Sequence, residues 1–129
     1  MFEMSILGLQ VSINLLPGIY LMGNTSAVGK SRLGLLLEKA FLNGSSTYYY
    51  TYSDFVKGIK LKDILSKQKY DVVLIDRLDL YIQQYDVFTE IVNFTEHTIF
   101  LLDLKNIIED VRGLKYCTVC MGEKDIKVI

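Results

Sequence analysis

The 129-residue sequence has no tryptophan, one histidine, one proline and two cysteines. Two cysteines are too few for a disulfide scaffold, and the expected compartment is a reducing one. Cys117 and Cys120 stand in CxxC spacing. On a strand that odd separation sends them to opposite faces, so they read as buried structural cysteines rather than half of a zinc site. The lone proline, Pro17, and a 50% hydrophobic content exclude disordered and collagen-like chains. Fifteen acidic against fourteen basic residues leave a net charge of -1, without the positive field of a dedicated nucleic-acid binder. The apolar stretch from Met1 to Met22 has no basic start and is broken by Glu3, Gln10, Ser12, Asn14 and Pro17-Gly18. It matches neither a signal peptide nor a membrane span, so the expected location is the cytoplasm. The length fits one domain over residues 1–129.

The patterning that is present alternates between periods of two and of 3.6. Leu9, Val11, Ile13 and Leu15 alternate with polar residues as a strand with one wet face does, and Pro17-Gly18 turns the chain. Ile19 to Met22 is apolar on both faces, as in a buried central strand, and ends at Gly23. From Lys30 the spacing of Leu33, Leu36, Leu37, Ala40 and Phe41 is helical, and Asn43-Gly44 stops the helix. A tyrosine-rich strand over 47–52 follows, then a Ser53-Asp54 cap and a lysine-rich helical segment over 55–68. Val72 to Ile75 forms the most apolar strand and leads into Asp76; a helical pattern then runs from Tyr81 to Val92. Strand 98–102 ends at Asp103, a short helix over 106–114 returns the chain, and strands over 116–121 and 126–129 close it. Strands alternating with helices predict an α/β sandwich around a largely parallel sheet with right-handed crossovers.

One segment carries recognisable chemistry. Between the strand ending at Gly23 and the helix beginning near Lys30 lie Asn24, Thr25, Ser26, Ala27, Val28, Gly29, Lys30, Ser31 and Arg32. Consecutive backbone N–H groups ahead of a helix converge on one point, the helix dipole adds partial positive charge, and Lys30 adds a full one. Gly29 allows close backbone approach, and the Ser31 hydroxyl stands where it can complete the coordination of a magnesium ion. The segment resembles the phosphate-binding Walker A motif, GxxxxGK[ST], with Asn24 at the first glycine position and Gly23 one residue early. Asparagine is among the non-glycine residues that best tolerate a left-handed backbone, so the replacement is physically admissible.

Val72 to Asp76 in turn resembles a Walker B strand, whose carboxylate emerges beside the phosphate loop. The chain as a whole resembles the AAA, ABC and RecA-like branch of the P-loop NTPases, with Gly29-Lys30-Ser31 and Asp76 as the sharp points of likeness. That resemblance implies a three-layer P-loop sandwich with a mostly parallel, roughly five-stranded core sheet and antiparallel N- and C-terminal strands. It also implies that Asp103 is a polar sensor on a strand between the loop's own and that of Asp76. Under it, ATP is bound by residues 24–32, Mg2+ by Ser31 and Asp76, and the catalytic set is Lys30, Asp76, Asp79 and Asp103.

The branch usually carries a glutamate after the Walker B aspartate to polarise water, and this chain has Arg77 there. Asp79 is a stand-in base or a helix-capping residue. Arg77 and Arg112 are candidate charge-stabilising fingers, or ordinary ion-pair residues. The expected function is therefore an Mg-ATP-binding protein with slow or partner-dependent hydrolysis. Its rival is a non-catalytic regulatory or structural module on the same fold. A small-molecule kinase, suggested by Asp76-Arg77, ranks last because no lid or acceptor-binding insertion fits in this length. Besides the nucleotide, the expected partners are a second copy or another protein. Nucleic acid has in its favour only the tyrosines 48, 49, 50 and 52 and the lysines 57, 60, 62, 67 and 69, which read better as strand formers and a solvated face. His97 reads as a strand-start residue, and no membrane partner is expected.

Overall fold

The structure is a computed structural model and describes residues 1–23, 27–104 and 115–129. Its strands are β1 (Phe2–Ile6), β2 (Leu9–Ile13), β3 (Gly18–Gly23), β4 (Thr47–Tyr50), β5 (Val72–Ile75), β6 (Ile99–Leu102), β7 (Lys115–Met121) and β8 (Asp125–Val128). The helices are α1 (Ala27–Leu42), α2 (Tyr52–Val56), α3 (Leu61–Leu65) and α4 (Val87–Ile91), with 3₁₀ turns at Leu78–Leu80 and Val92–Phe94. The class is α/β. All eight strands join one mixed sheet in the order β1-β2-β8-β7-β3-β6-β5-β4.

Both faces of this sheet are apolar, so each needs a cover. On one face Leu33, Leu36 and Leu37 of α1 pack on Tyr20, Met22, Leu74, Leu101 and Cys117. On the other, Leu61, Ile64 and Leu65 of α3 and Val87 and Ile91 of α4 pack on Leu21, Tyr50, Ile75, Phe100 and Leu102. The runs β5 and β6 are buried at every position, the signature of strands covered on both sides. Strand β3 pairs in parallel with β6 on one side and β7 on the other, β6 with β5, and β5 with β4.

The ends of the chain depart from expectation. A first strand, β1, precedes the alternating one and pairs with it antiparallel through the two-residue turn Leu7-Gly8. Both turn residues have positive φ, 52° and 76°, as a tight hairpin requires, but leucine is not a residue that announces such a turn. Strand β2 stops at Ile13 and runs parallel to β8, whereas β7 and β8 are antiparallel. The expected all-antiparallel termini are therefore corrected by the β2–β8 pair.

Other boundaries move for local reasons. Helix α1 begins at Ala27, before Lys30. The tyrosine strand stops at Tyr50 because Thr51 caps α2: its hydroxyl accepts from the Asp54 N–H at 3.3 Å and its own N–H donates to Asp54 at 3.0 Å. The cap is thus Thr51, not Ser53-Asp54. The helix expected over 81–92 shrinks to α4, with Asp86 accepting from the Thr89 N–H. The expected 106–114 helix and Arg112 lie outside the described residues.

Candidate functional site

Register builds the site. Tyr50, Ile75, Leu102 and Leu21 are level across β4, β5, β6 and β3, and all four belong to the cluster under α3 and α4. Because side chains alternate along a strand, Asp76 and Asp103, each one residue further on, turn to the α1 face. Their backbones extend the ladder: the Asp76 N–H donates to Tyr50 O and the Asp103 N–H to Ile75 O, both at 2.9 Å. Two carboxylates therefore leave the carboxyl edges of neighbouring strands side by side, facing the first turn of α1.

Lys30 stands in that turn. Its Nζ lies 3.3 Å from Asp103 Oδ1, with the two side chains only 14% and 11% exposed. Asp76 faces Asp103 as well, and two carboxyls side by side and withdrawn from water resist both being ionised. Burial, with Asp103 beside it, pushes the Asp76 carboxyl up to about 6, against the pull of a Tyr49 hydrogen bond and the Arg77 charge. The Tyr49 hydroxyl is in turn driven upward, by burial first and then by Asp76.

Tyr49 reaches this position because α1 has a glycine opposite it. A Cβ built on Gly34 would meet the Tyr49 ring at 2.5 Å. A glycine in the middle of a leucine-rich helix is the sequence trace of such a close approach, yet neither Tyr49 nor Gly34 is marked by any motif.

Beyond Asp76 the chain makes a tight left-handed turn, with Arg77 at φ 43° and ψ 49°. From there the guanidinium donates to both oxygens of Asp79, Nε to Oδ1 at 3.2 Å and Nη2 to Oδ2 at 3.1 Å. The Leu78 N–H donates to Asp103 O at 2.9 Å and the Tyr81 hydroxyl to Asp76 O at 2.9 Å, fixing the turn on the sheet edge. Asp79 is thus spent on Arg77 rather than standing clear as a base.

Of the sequence-derived residues, Lys30, Asp76 and Asp103 come together, with Asp79 and Arg77 in the adjoining turn. Gly29 is buried, while Ser31 and Arg32 are exposed. Asn24, Thr25 and Ser26 lie outside the described residues, as do the side chains of Ala27 and Val28. Among the described residues no group of three or more His, Cys, Asp or Glu could hold a metal by itself; a hard cation here needs oxygen from a hydroxyl or a bound ligand as well. Cys117 is buried with its thiol pushed up to about 12, chiefly by burial, so it is inert as a nucleophile. Cys120 is exposed, which corrects the expectation that both are buried.

Tyr50 is fully buried and donates to Ile59 O, Tyr48 and Tyr49 are half-buried, and Tyr52 is 45% exposed on α2. The five lysines are all exposed. A hollow of about 630 Å³ lined by Lys60, Lys62, Tyr85 and Glu90 opens on the α3–α4 side and shares no wall with Lys30, Asp76 or Asp103. No described helix is long and apolar enough to cross a membrane. Comparisons with protein-family models, with curated proteins and with solved structures return no match.

Proposed function

We propose that the chain is a minimal P-loop nucleotide-binding protein of the AAA, ABC and RecA-like branch, taking Mg-ATP at the carboxyl edge of β3, β5 and β6. The observation that carries the reading is the convergence of Lys30, on the first turn of α1, with Asp103 and Asp76 at the tips of two adjacent strands. The strand order supports it, because β6 lies between β3 and β5 and ends at Asp103, the place that a polar sensor takes in that branch. The finer architecture, a three-layer P-loop sandwich, belongs to the same proposal.

In this reading the backbone of residues 24–31 cradles phosphate, and Lys30 leaves Asp103 to meet the terminal phosphates. Ser31 and Asp76 supply hard oxygen donors of the kind magnesium prefers, with water and phosphate oxygens completing its shell. Bound magnesium would supply charge neutralisation at the phosphates. Asp76 serves as a ligand in its ionised form, which the positive charge arriving with the metal favours.

A second reading, a regulatory module that binds nucleotide without consuming it, is favoured by one specific arrangement. Arg77 occupies the position after Asp76, and the nearest alternative base, Asp79, accepts both of its guanidinium hydrogen bonds. Calorimetric titration of ATP and ADP with and without magnesium, followed by measurement of phosphate release, separates the two. Binding with phosphate release supports the ATPase, binding without it supports the module, and no binding at millimolar nucleotide removes both.

A further inference from the structure

Strand β1 is one of the two outer strands of the sheet, pairing with β2 and with no other described strand. The tight turn at Leu7-Gly8 makes Ile6 and Leu9 the first hydrogen-bonded pair, and alternation then gives Met4–Val11 and Phe2–Ile13. The Gln10 N–H confirms the phase, since it donates away from β1, to Lys124 O at 2.9 Å. The main-chain groups of Glu3 and Ser5 therefore face outward. Both residues are exposed, while Phe2, Met4 and Ile6 are partly exposed on the α1 face of the sheet.

Open edges are ordinarily blunted by charged side chains, proline or a bulge; β1 has no proline and no bulge, and its one charge is Glu3. At the other outer strand, β4, the Thr47 side chain is fully buried and the Thr51 N–H just past the strand is taken by Asp54. We propose that β1 is a docking edge for a second copy of this chain, paired antiparallel about a two-fold axis through Met4, which would continue one sheet across the two copies.

Register selects this arrangement. With the axis at Met4, Glu3 lies opposite Ser5 of the other copy in both directions, giving two hydrogen-bonded pairs. Phe2 meets Ile6 and Met4 meets Met4, so every apolar residue lies opposite an apolar one. A shift placing the axis at Glu3 sets two carboxylates opposite each other; a shift to Ser5 sets Glu3 against the left-handed Leu7. The strand reads apolar, polar, apolar, polar, apolar, a palindrome in character, and its single charge faces the neutral Ser5, whose hydroxyl donates to Gln10 Oε1, rather than its own image. With a net charge of -1 per chain, long-range repulsion between copies is small.

The test is sedimentation equilibrium of the full chain and of Ser5→Glu and Ser5→Lys. Each substitution acts twice per dimer, opposite Glu3 in both pairs, so the dissociation constant should rise about 2- to 30-fold with glutamate and fall by a similar factor with lysine. Gln68→Glu and Gln68→Lys, which change the same charge at an exposed site remote from β1, should leave it unchanged. A wild-type protein that stays monomeric up to about 1 mM overturns the proposal. A dimer that ignores the charge at position 5, or moves the same way with both substitutions, overturns it equally.

Discussion

Lys30 and Asp103 form an ion pair at 3.3 Å with both side chains largely withdrawn from water, so the cation that the proposed function assigns to phosphate has a structural partner when none is bound. A lysine that served only a ligand could be removed without loss of stability. Here Lys30→Met leaves a buried carboxylate beside a second one and should cost about 1 to 3 kcal/mol in urea unfolding at pH 7. Adding Asp103→Asn in the same chain should recover most of that loss, a coupling that a double-mutant cycle measures directly. Equal and additive losses would show that the pair contributes nothing.

Strand order of this kind is legible where the chain writes it twice, in pattern and in punctuation. Val72 to Ile75 and Ile99 to Leu102 are fully apolar and each ends at an aspartate, so both strands and both carboxylates could be read directly. The Lys30–Asp103 pair could not, because it depends on register between strands and a helix far apart in sequence. Gly34 and Tyr49 are harder still: each looks like a propensity matter alone, and only the space left by the glycine brings the Tyr49 hydroxyl to Asp76. Strand β1 was hidden for a local reason, since Leu7 takes a left-handed conformation that sequence reasoning reserves for glycine and asparagine.

Asp76 gives the protein a stability component that weakens as pH rises. Its carboxyl is pushed up to about 6 from 3.8, so between those values the native state holds a proton that the unfolded chain has released. Stability from this group is full below about pH 4 and is lost as pH rises through about 6, by about 1 to 3 kcal/mol. Asp76→Asn should therefore match the wild type near pH 4 and exceed it by that amount at pH 7, without nucleotide or metal. Comparing the two proteins by urea unfolding across this range cancels the carboxylates remote from the Asp76–Asp103 pair. A constant difference at all pH values would show that Asp76 titrates normally.

Gly34→Ala opposes two effects of known sign. Alanine favours a helix interior by about 1 kcal/mol over glycine. Its Cβ would lie 2.5 Å from the Tyr49 ring, and displacing a ring from a packed helix–sheet contact costs about 1 to 3 kcal/mol. The steric term should win, making the variant less stable by urea unfolding. Because the displaced tyrosine also loses its hydrogen bond to Asp76, the carboxyl should titrate higher still, readable by NMR of the Asp76 side chain. A more stable variant would mean that the ring moves freely and is not held against α1.

Arg77 combines a strained backbone with a useful side chain, and two substitutions separate them. Its φ of 43° costs an L-residue about 1 to 2 kcal/mol that glycine does not incur. The fork to Asp79 returns about 0.5 kcal/mol, since the arginine side chain is 36% exposed and the pair is partly screened. Arg77→Ala loses the fork and keeps the strain, so it should be destabilised. Arg77→Gly loses the fork but relieves the strain, and should equal or exceed the wild type in urea unfolding. If the guanidinium also steadies charge on a bound nucleotide, both variants should lose the same fraction of any phosphate release, whatever their stabilities. Activity that follows stability instead would place Arg77 in the scaffold of the turn alone, and activity that survives in the glycine variant would free Asp79 to act as the base.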